Sequence, residues 1–223
     1  MMAVRLVGSP AVAFGTLLGQ GAVFVIADDG SLYEVLQTAG GWSAWINRGT
    51  PRGVRLLPSP AVSWANFIDL FALNPVAIGS DNRPYSLPQH DGGNSWSAID
   101  DASLAPSPTA LQSFSGLQFV CAVGTDKTLR SFGFPGPNGW TSYPGRAVQP
   151  SPCAAVGLVT VGKAVEHRLE LFAVGTDSAL WHMANGGGHS ERRVVALVLS
   201  RYAAGRRPIR KCAGGRGERG RAS

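Results

Sequence analysis

One short unit recurs four times in the first 188 residues, and few folds can accommodate it. Its cleanest copy is Leu169 to Met183, LELFAVGTDSALWHM. Leu169–Val174 reads as a short strand, Gly175-Thr176-Asp177-Ser178 as a turn, and Ala179–Met183 as the start of a second strand. In that turn Gly tolerates positive φ and Asp bonds the backbone ahead of it. Strand, Asp turn and aromatic-bearing strand together make a β-hairpin. The other copies centre on Asp29, Asp81 and Asp126. Four residues after the Asp stand Tyr33, Tyr85 and Trp181 in three copies, and Arg130 in the remaining one.

Two further markers keep step with the hairpins. Ser-Pro pairs begin at Ser9, Ser59, Ser107 and Ser151, in steps of 50, 48 and 44 residues. Trp42, Trp96 and Trp140 follow the first three Asp turns at offsets of 13, 15 and 14. A period of 45–50 residues carrying several short strands is the sequence signature of propeller blades. The expected fold is therefore all-β: a β-propeller of four-stranded antiparallel blades, with about four blades present. The repeats fall at about 9–57, 58–105, 106–149 and 150–188. Repeat two is irregular: either residues 74–78 are an insertion or IDLFAL (68–73) lies outside the strand, and Pro84 and Pro88 mark an edge-like third strand. Leu117–Val123 is expected to be the inner strand of repeat three. Residues 157–167 read as a long first connection in repeat four.

Composition agrees, with 29 Gly and 15 Pro for many turns and no capped apolar stripe at helical spacing. The formal charge of +6 is unevenly placed. Residues 1–188 carry 10 Lys/Arg against 12 Asp/Glu, a net of −2, while 189–223 carry 10 against 2, a net of +8. The repeat body is thus a poor polyanion binder on charge alone, and no nucleic-acid partner is expected for it. After Gly188 the markers stop and an Arg/Gly-rich segment begins. Three readings stand for it: an off-frame end, a disordered basic linker, or a nucleic-acid arm without interleaved aromatics. The apolar run 11–27 falls in repeat register and contains three Gly, so neither a signal peptide nor a membrane span is expected there.

The chemistry-bearing residues are sparse. The turn aspartates read as turn formers, and paired acids meeting in one cleft, as glycoside hydrolysis needs, are not evident. The GTDSALW segment superficially resembles the Asp-box of sialidases but lacks the Gly and Thr of that box. His90, His167, His182 and His189 show no metal-ligand spacing, and Cys121, Cys153 and Cys212 form no CxxC pair. Cys121 and Cys153 read as small buried hydrophobes; nothing in the sequence supports a bridge between them. No cofactor is expected. The recurring aromatics remain, with two readings. They fill the wedges between blades, or some line clefts where a ring covers the apolar face of a sugar. Tyr33, Trp42, Tyr85, Trp96, Trp140 and Trp181 are the candidate ligand-binding residues.

The set SPAVA, LELFAVGTDSALWHM and GGWSAW resembles the repeat of the PLL-type bacterial lectins, over residues 9–188. That resemblance implies a β-propeller, seven-bladed in characterised members, with pockets for fucose or related glycans between adjacent blades. It implies neither catalysis nor an obligatory metal, and an extracellular setting. The chain departs from the pattern in having about four repeats, with the last lacking its outer Trp strand. Exposed blade edges then invite homo-association. The alternative is a structural or protein-interaction propeller appended to a secreted enzyme, without sugar binding.

Overall fold

A computed structural model describes residues 4–14, 21–67, 70–88, 95–112, 118–134, 139–145, 147–150, 152–161 and 164–187. These are all strand, turn and connection, with no helix among the described residues. The strands form four antiparallel sheets, each built from consecutive elements. Blade 1 holds β1 (Leu6–Phe14), β2 (Gly21–Ala27), β3 (Leu32–Thr38) and an outer strand in two pieces, β4 (Gly41–Trp42) and β5 (Ile46–Gly49). Blade 2 holds β6 (Ala61–Phe67), β7 (Leu70–Ile78), β8 (Pro84–Ser86) and β9 (Ser97–Ala98). Blade 3 holds β10 (Thr109–Gln112), β11 (Gln118–Val123), β12 (Leu129–Phe134) and β13 (Thr141–Tyr143). Blade 4 holds β14 (Cys153–Val161), β15 (Ala164–Val174) and β16 (Leu180–Gly187). The first strands β1, β6, β10 and β14 pack side by side from blade to blade.

Three details correct the sequence reading. The described part of IDLFAL, Leu70–Leu73, is no separate segment, and residues 74–78 are no insertion. Leu70–Ile78 is one strand, and β6 pairs along it from Ala61↔Val76 to Phe67↔Leu70. Residues 157–167 are not a long connection, because β14 runs to Val161 and β15 starts at Ala164, the two pairing along their length. The stretch expected as the inner strand of repeat three, as far as it is described (Gln118–Val123), is the second strand of blade 3, since β10 lies inside it against β6 and β14.

The Asp turns obey one geometry. The N–H of Gly30, Asn82, Lys127 and Ser178 each reaches the carbonyl three residues back, at 2.8–2.9 Å. Those four residues take positive φ, between 61° and 81°. This is the three-residue hairpin loop, a tight turn followed by one left-handed residue. The left-handed position therefore follows the Asp; it is not the Gly two residues before it, as first expected. Gly79, Gly124 and Gly175 serve instead as points of close approach. A Cβ on Gly79 would lie 2.5 Å from Asp81 Oδ1 and 2.8 Å from the Tyr85 ring.

Connections between blades are stitched to these turns. Leu56, Leu104 and Val148 donate their N–H to the carbonyls of Gly30, Asn82 and Lys127, the left-handed residues of the preceding blade, at 2.8–3.0 Å. Ser80, Thr125 and Thr176 of the following blade donate to Arg55, Ser103 and Ala147 of the same connections, at 2.8–3.1 Å. Each connecting segment is thus held between two Asp turns, and its apolar residue is driven into the junction.

The core consists of these junctions. Phe24, Ile26 and Leu32 of blade 1 meet Leu56, Val62, Leu73 and Leu87. Ile78 meets Leu104 and Ala122, with Leu57 and Trp140 packed against them. Cys121, Val123 and Leu129 meet Val148, Leu171 and Ala173. Cys121 is buried, as its sequence setting implied. Each large side chain buried this way contributes about 1.5–3 kcal/mol. A polar pair registers blade 3 on blade 2: Asn74 Nδ2 donates to Gln118 Oε1 at 2.6 Å, and Gln118 Nε2 donates to the Asn74 carbonyl at 2.9 Å. The Arg/Gly-rich segment 189–223 lies outside the described residues.

Gly79 has an ordinary backbone conformation, so its replacement acts through sterics alone. Gly79→Ala is expected to destabilise the chain by about 1–3 kcal/mol through overpacking. Urea unfolding checks this, and an unchanged midpoint would contradict the close-approach role.

Candidate functional site

Four side chains converge on the Asp turns and explain the exception in the repeat. The Asp carboxylate accepts the N–H two residues ahead in every copy: Ser31 at 2.8 Å, Arg83 at 3.1 Å, Thr128 at 3.0 Å and Ala179 at 3.1 Å. It also accepts from the side chain four residues ahead. Tyr33 Oη donates to Asp29 at 3.0 Å, Tyr85 Oη to Asp81 at 2.7 Å, Arg130 Nη2 to Asp126 at 2.8 Å, and Trp181 Nε1 to Asp177 at 3.2 Å. The common property is a donor of the right reach, which Arg supplies as well as Tyr or Trp. Tyr33, Tyr85 and Trp181, three of the six candidate ligand residues, are therefore held by turn chemistry.

Electrostatics follow from this arrangement. Asp81 is pushed up by burial, but the Tyr85 hydroxyl, the backbone N–H of Arg83 and the Arg83 charge together outweigh that and lower its pKa. Asp126 is lowered by the Thr128 N–H and then by the Arg130 guanidinium. Burial, then the bond to its own Asp, raises Tyr33 and Tyr85.

The outer-strand tryptophans divide differently from the expectation. Ile46 faces Glu34 across β5 and β3, Ser97 faces Ser86, and Thr141 faces Ser131. The residue before each is Trp45, Trp96 and Trp140, so Trp45 is the register-mate of the other two. Trp42 sits earlier, on β4 against Gln37, and is exposed. Trp96 leans from blade 2 onto blade 1, its Nε1 donating to the Arg48 carbonyl at 3.1 Å, while its ring packs on the first junction cluster. Trp140 packs into the second junction, its ring 5.6 Å from that of Phe132.

At the first junction the sequence reading missed two residues. Glu34 is fully buried on β3, on the same face as Leu32 and so toward blade 2. Arg48 Nε of β5 lies 2.5 Å from its Oε2. The Arg48 side chain remains partly exposed, and its backbone carbonyl takes the Trp96 indole N–H. A buried carboxylate requires such a partner. The register position of Glu34 is polar in every blade: Ser86, Ser131 and His182 occupy it. Ser131 bonds the Tyr143 hydroxyl at 2.7 Å, and His182 pairs with Glu170 while stacking on Phe172. The one sequence signal for this belt was a Glu in the middle of an apolar strand.

A separate cavity of about 350 Å³ opens at the turn end of the third junction, lined by Val123, Thr125, Lys127, Val148, Gln149 and Thr176 among others. None of the six candidate aromatics lines it. Among the described residues no group of three His, Cys, Asp or Glu is placed to hold a metal ion. No helix among them is long and apolar enough to cross a membrane.

No protein-family profile matches the sequence, and no curated protein matches it. Solved structures do match in fold. The AofleA protein of Arthrobotrys oligospora superimposes with a TM-score of 0.57 at 15% identity, over 83% of this chain and 56% of that one. The fucose-specific lectin of Aleuria aurantia gives 0.55 at 13% identity, over 84% and 64%. The SapL1 lectin, solved with α-methyl fucoside, gives 0.53 at 16% identity, over 80% and 60%. A structure of the Aleuria lectin is described as a six-bladed β-propeller. A Hadza microbial sialidase also matches, with a TM-score of 0.53 at 14% identity, over 43% of its length. The four sheets are thus blades of a β-propeller, and the chain spans between about half and two-thirds of the length of these three proteins.

The lowered pKa values of Asp81 and Asp126 mean that folding favours their charged forms. Their contribution is present above the ordinary aspartate value and lost as pH falls through the lowered folded values. Melting temperature should hold steady from neutral pH to about pH 5 and fall below about pH 4. The Asp81→Asn, Asp126→Asn double variant should melt lower at neutral pH with a shallower acid slope. Parallel slopes in the two proteins would contradict the role of these carboxylates.

Proposed function

We propose that the chain is a non-catalytic, carbohydrate-binding propeller module that takes fucose or a related sugar between blades, foremost at the junction of blades 1 and 2. The observation that carries this is the convergence of Glu34, Arg48 and Trp96. The buried Glu34 carboxylate holds the partly exposed Arg48 guanidinium in place, and a guanidinium carries further N–H donors for sugar hydroxyls. The Trp96 indole, bonded to the Arg48 carbonyl, is a ring whose face can cover the apolar side or methyl group of a deoxy sugar. The fold likeness to fucose-specific lectins supports the same chemistry. The resemblance to PLL-type repeats supports it independently of the fold comparison. Trp140 at the second junction, where Ser86 holds the strand position equivalent to Glu34, is a weaker variant of the same site, and Trp42 and Trp45 supply exposed rings at the edge of blade 1. Glycans or glycoconjugates are the partners, and the edge faces of the array support homo-association.

One observation favours the interaction-module reading instead: Tyr33, Tyr85 and Trp181 are engaged by their own turns and leave fewer rings for ligand. Catalysis has less support, because the four repeat acids Asp29, Asp81, Asp126 and Asp177 are each occupied in a separate turn.

A glycan array probed with the full chain, followed by calorimetry with α-methyl fucoside, decides between these readings. Saturable binding competed by free sugar is expected. Arg48→Ala and Trp96→Ala should each weaken it at least tenfold, about 1.4 kcal/mol, while Tyr33→Phe leaves it unchanged. Folded protein that binds no glycan would overturn the proposal in favour of a protein partner.

A further inference from the structure

Exposure is not distributed evenly over equivalent positions of the four blades. The Asp turn registers Leu6 with Leu56, Leu104 and Val148: each pairs with the residue two before the Asp, namely Ala27, Gly79, Gly124 and Gly175. Leu56, Leu104 and Val148 are 4%, 0% and 5% exposed, but Leu6 is 44% exposed. At the other end of the array, Val174 is the mate of Ile26, Ile78 and Val123. Those three are 0–2% exposed, and Val174 is 41% exposed. Leu180, the mate of buried Leu32 and Leu129, is 43% exposed.

These outliers lie on two faces. Ala11 and Ala13 of β1 pack toward the first junction, so Val12 and Phe14 point the opposite way, and both are exposed. A Cβ on Gly21 would meet Phe14 at 3.4 Å and Trp42 at 3.6 Å, which places Trp42 in the same patch. Trp45 is half exposed, whereas its mates Trp96 and Trp140 rest on the preceding blade. Leu6, Val12, Phe14, Trp42 and Trp45 thus form the upstream face of blade 1. Val174 and Leu180 belong to the downstream face of blade 4. Apart from Val4, at the start of the described chain, these are the exposed large hydrophobics among the residues whose side chains are described.

We infer that a second copy of this chain docks head to tail, the upstream face of its blade 1 covering the downstream face of blade 4. The occupant follows from the molecule itself. It shows three times how an upstream face seats on a downstream face, and its two open faces are the two halves of that joint. The same register puts the Leu6 N–H of the second copy opposite the Ser178 carbonyl, as Leu56, Leu104 and Val148 stand opposite Gly30, Asn82 and Lys127. It also brings Trp45 of the second copy toward the face that carries the His182–Glu170 pair, as Trp96 reaches the Arg48 strand of blade 1. That junction is a site neither copy completes alone. Contiguous apolar patches of this kind mark interaction surfaces. Because the joint uses two different surfaces, association is heterologous: it closes a ring or continues to grow.

The docking rests on the fold and not on the glycan reading, and a mass measurement is blind to sugar, so the two fail separately. Sedimentation velocity of the full chain should show concentration-dependent species larger than the 23.3 kDa monomer. The Val12→Glu, Phe14→Glu variant and the Val174→Glu, Leu180→Glu variant should each run as monomers with unchanged far-ultraviolet circular dichroism, since the altered positions are exposed. Mixed in equal amounts, they retain one good face each and should form a one-to-one dimer that grows no further. A wild-type chain that stays monomeric at all concentrations, a single variant that still self-associates, or a mixture that stays monomeric would each overturn the inference.

Discussion

The carboxylate of the Asp turn is the interaction on which the rest depends. It takes a backbone N–H two residues ahead and a side-chain donor four residues ahead, fixing both the hairpin and the direction of the third strand. The left-handed residue beside it turns its carbonyl toward the incoming connection, and a linker N–H closes on it. One local motif therefore sets blade geometry and blade spacing together. This is how a chain of low charge and short strands can order a repeat array in which each unit buries its apolar face only against its neighbours.

Much of this is legible in the sequence because the motif is local. Asp29, Asp81, Asp126 and Asp177 can be aligned by eye, and the hairpins lie where they fall. The rule behind the position four residues on is not legible in the sequence. Tyr33, Tyr85 and Trp181 look like an aromatic requirement, and only the geometry of Arg130 reveals a requirement for a donor. The linker leucines were also readable. Leu56, Leu104 and Val148 each stand three residues before the Ser of a Ser-Pro pair, as Leu6 does.

What the sequence hid depends on pairing across strands. Trp42 and Trp45 stand 13 and 16 residues after Asp29, equally near the offsets of 15 and 14 in the next two copies, and only the strand pairing of the broken outer strand of blade 1 makes Trp45 the counterpart of Trp96 and Trp140. Glu34 and Arg48 are fourteen residues apart, and nothing but the β3–β5 register joins them. The strand Leu70–Ile78 was obscured by Pro75 in its middle, which pairs with Val62 while its carbonyl takes the Leu87 N–H. In each case local spacing gave the element, and the partner strand determined what the residue meets.

The candidate site stands on a division of labour among aromatics that look alike in sequence. Trp181 spends its indole N–H on Asp177, and Trp96 uses its own to lock against the strand that carries Arg48. The most direct measurement of that division is a nitrogen-15 spectrum of the tryptophan indole N–H groups, assigned by single Trp→Phe variants, during titration with α-methyl fucoside. The account predicts that the Trp96 signal moves saturably while the Trp181 signal stays in place. A Trp181 signal that moves while Trp96 stays fixed would contradict it.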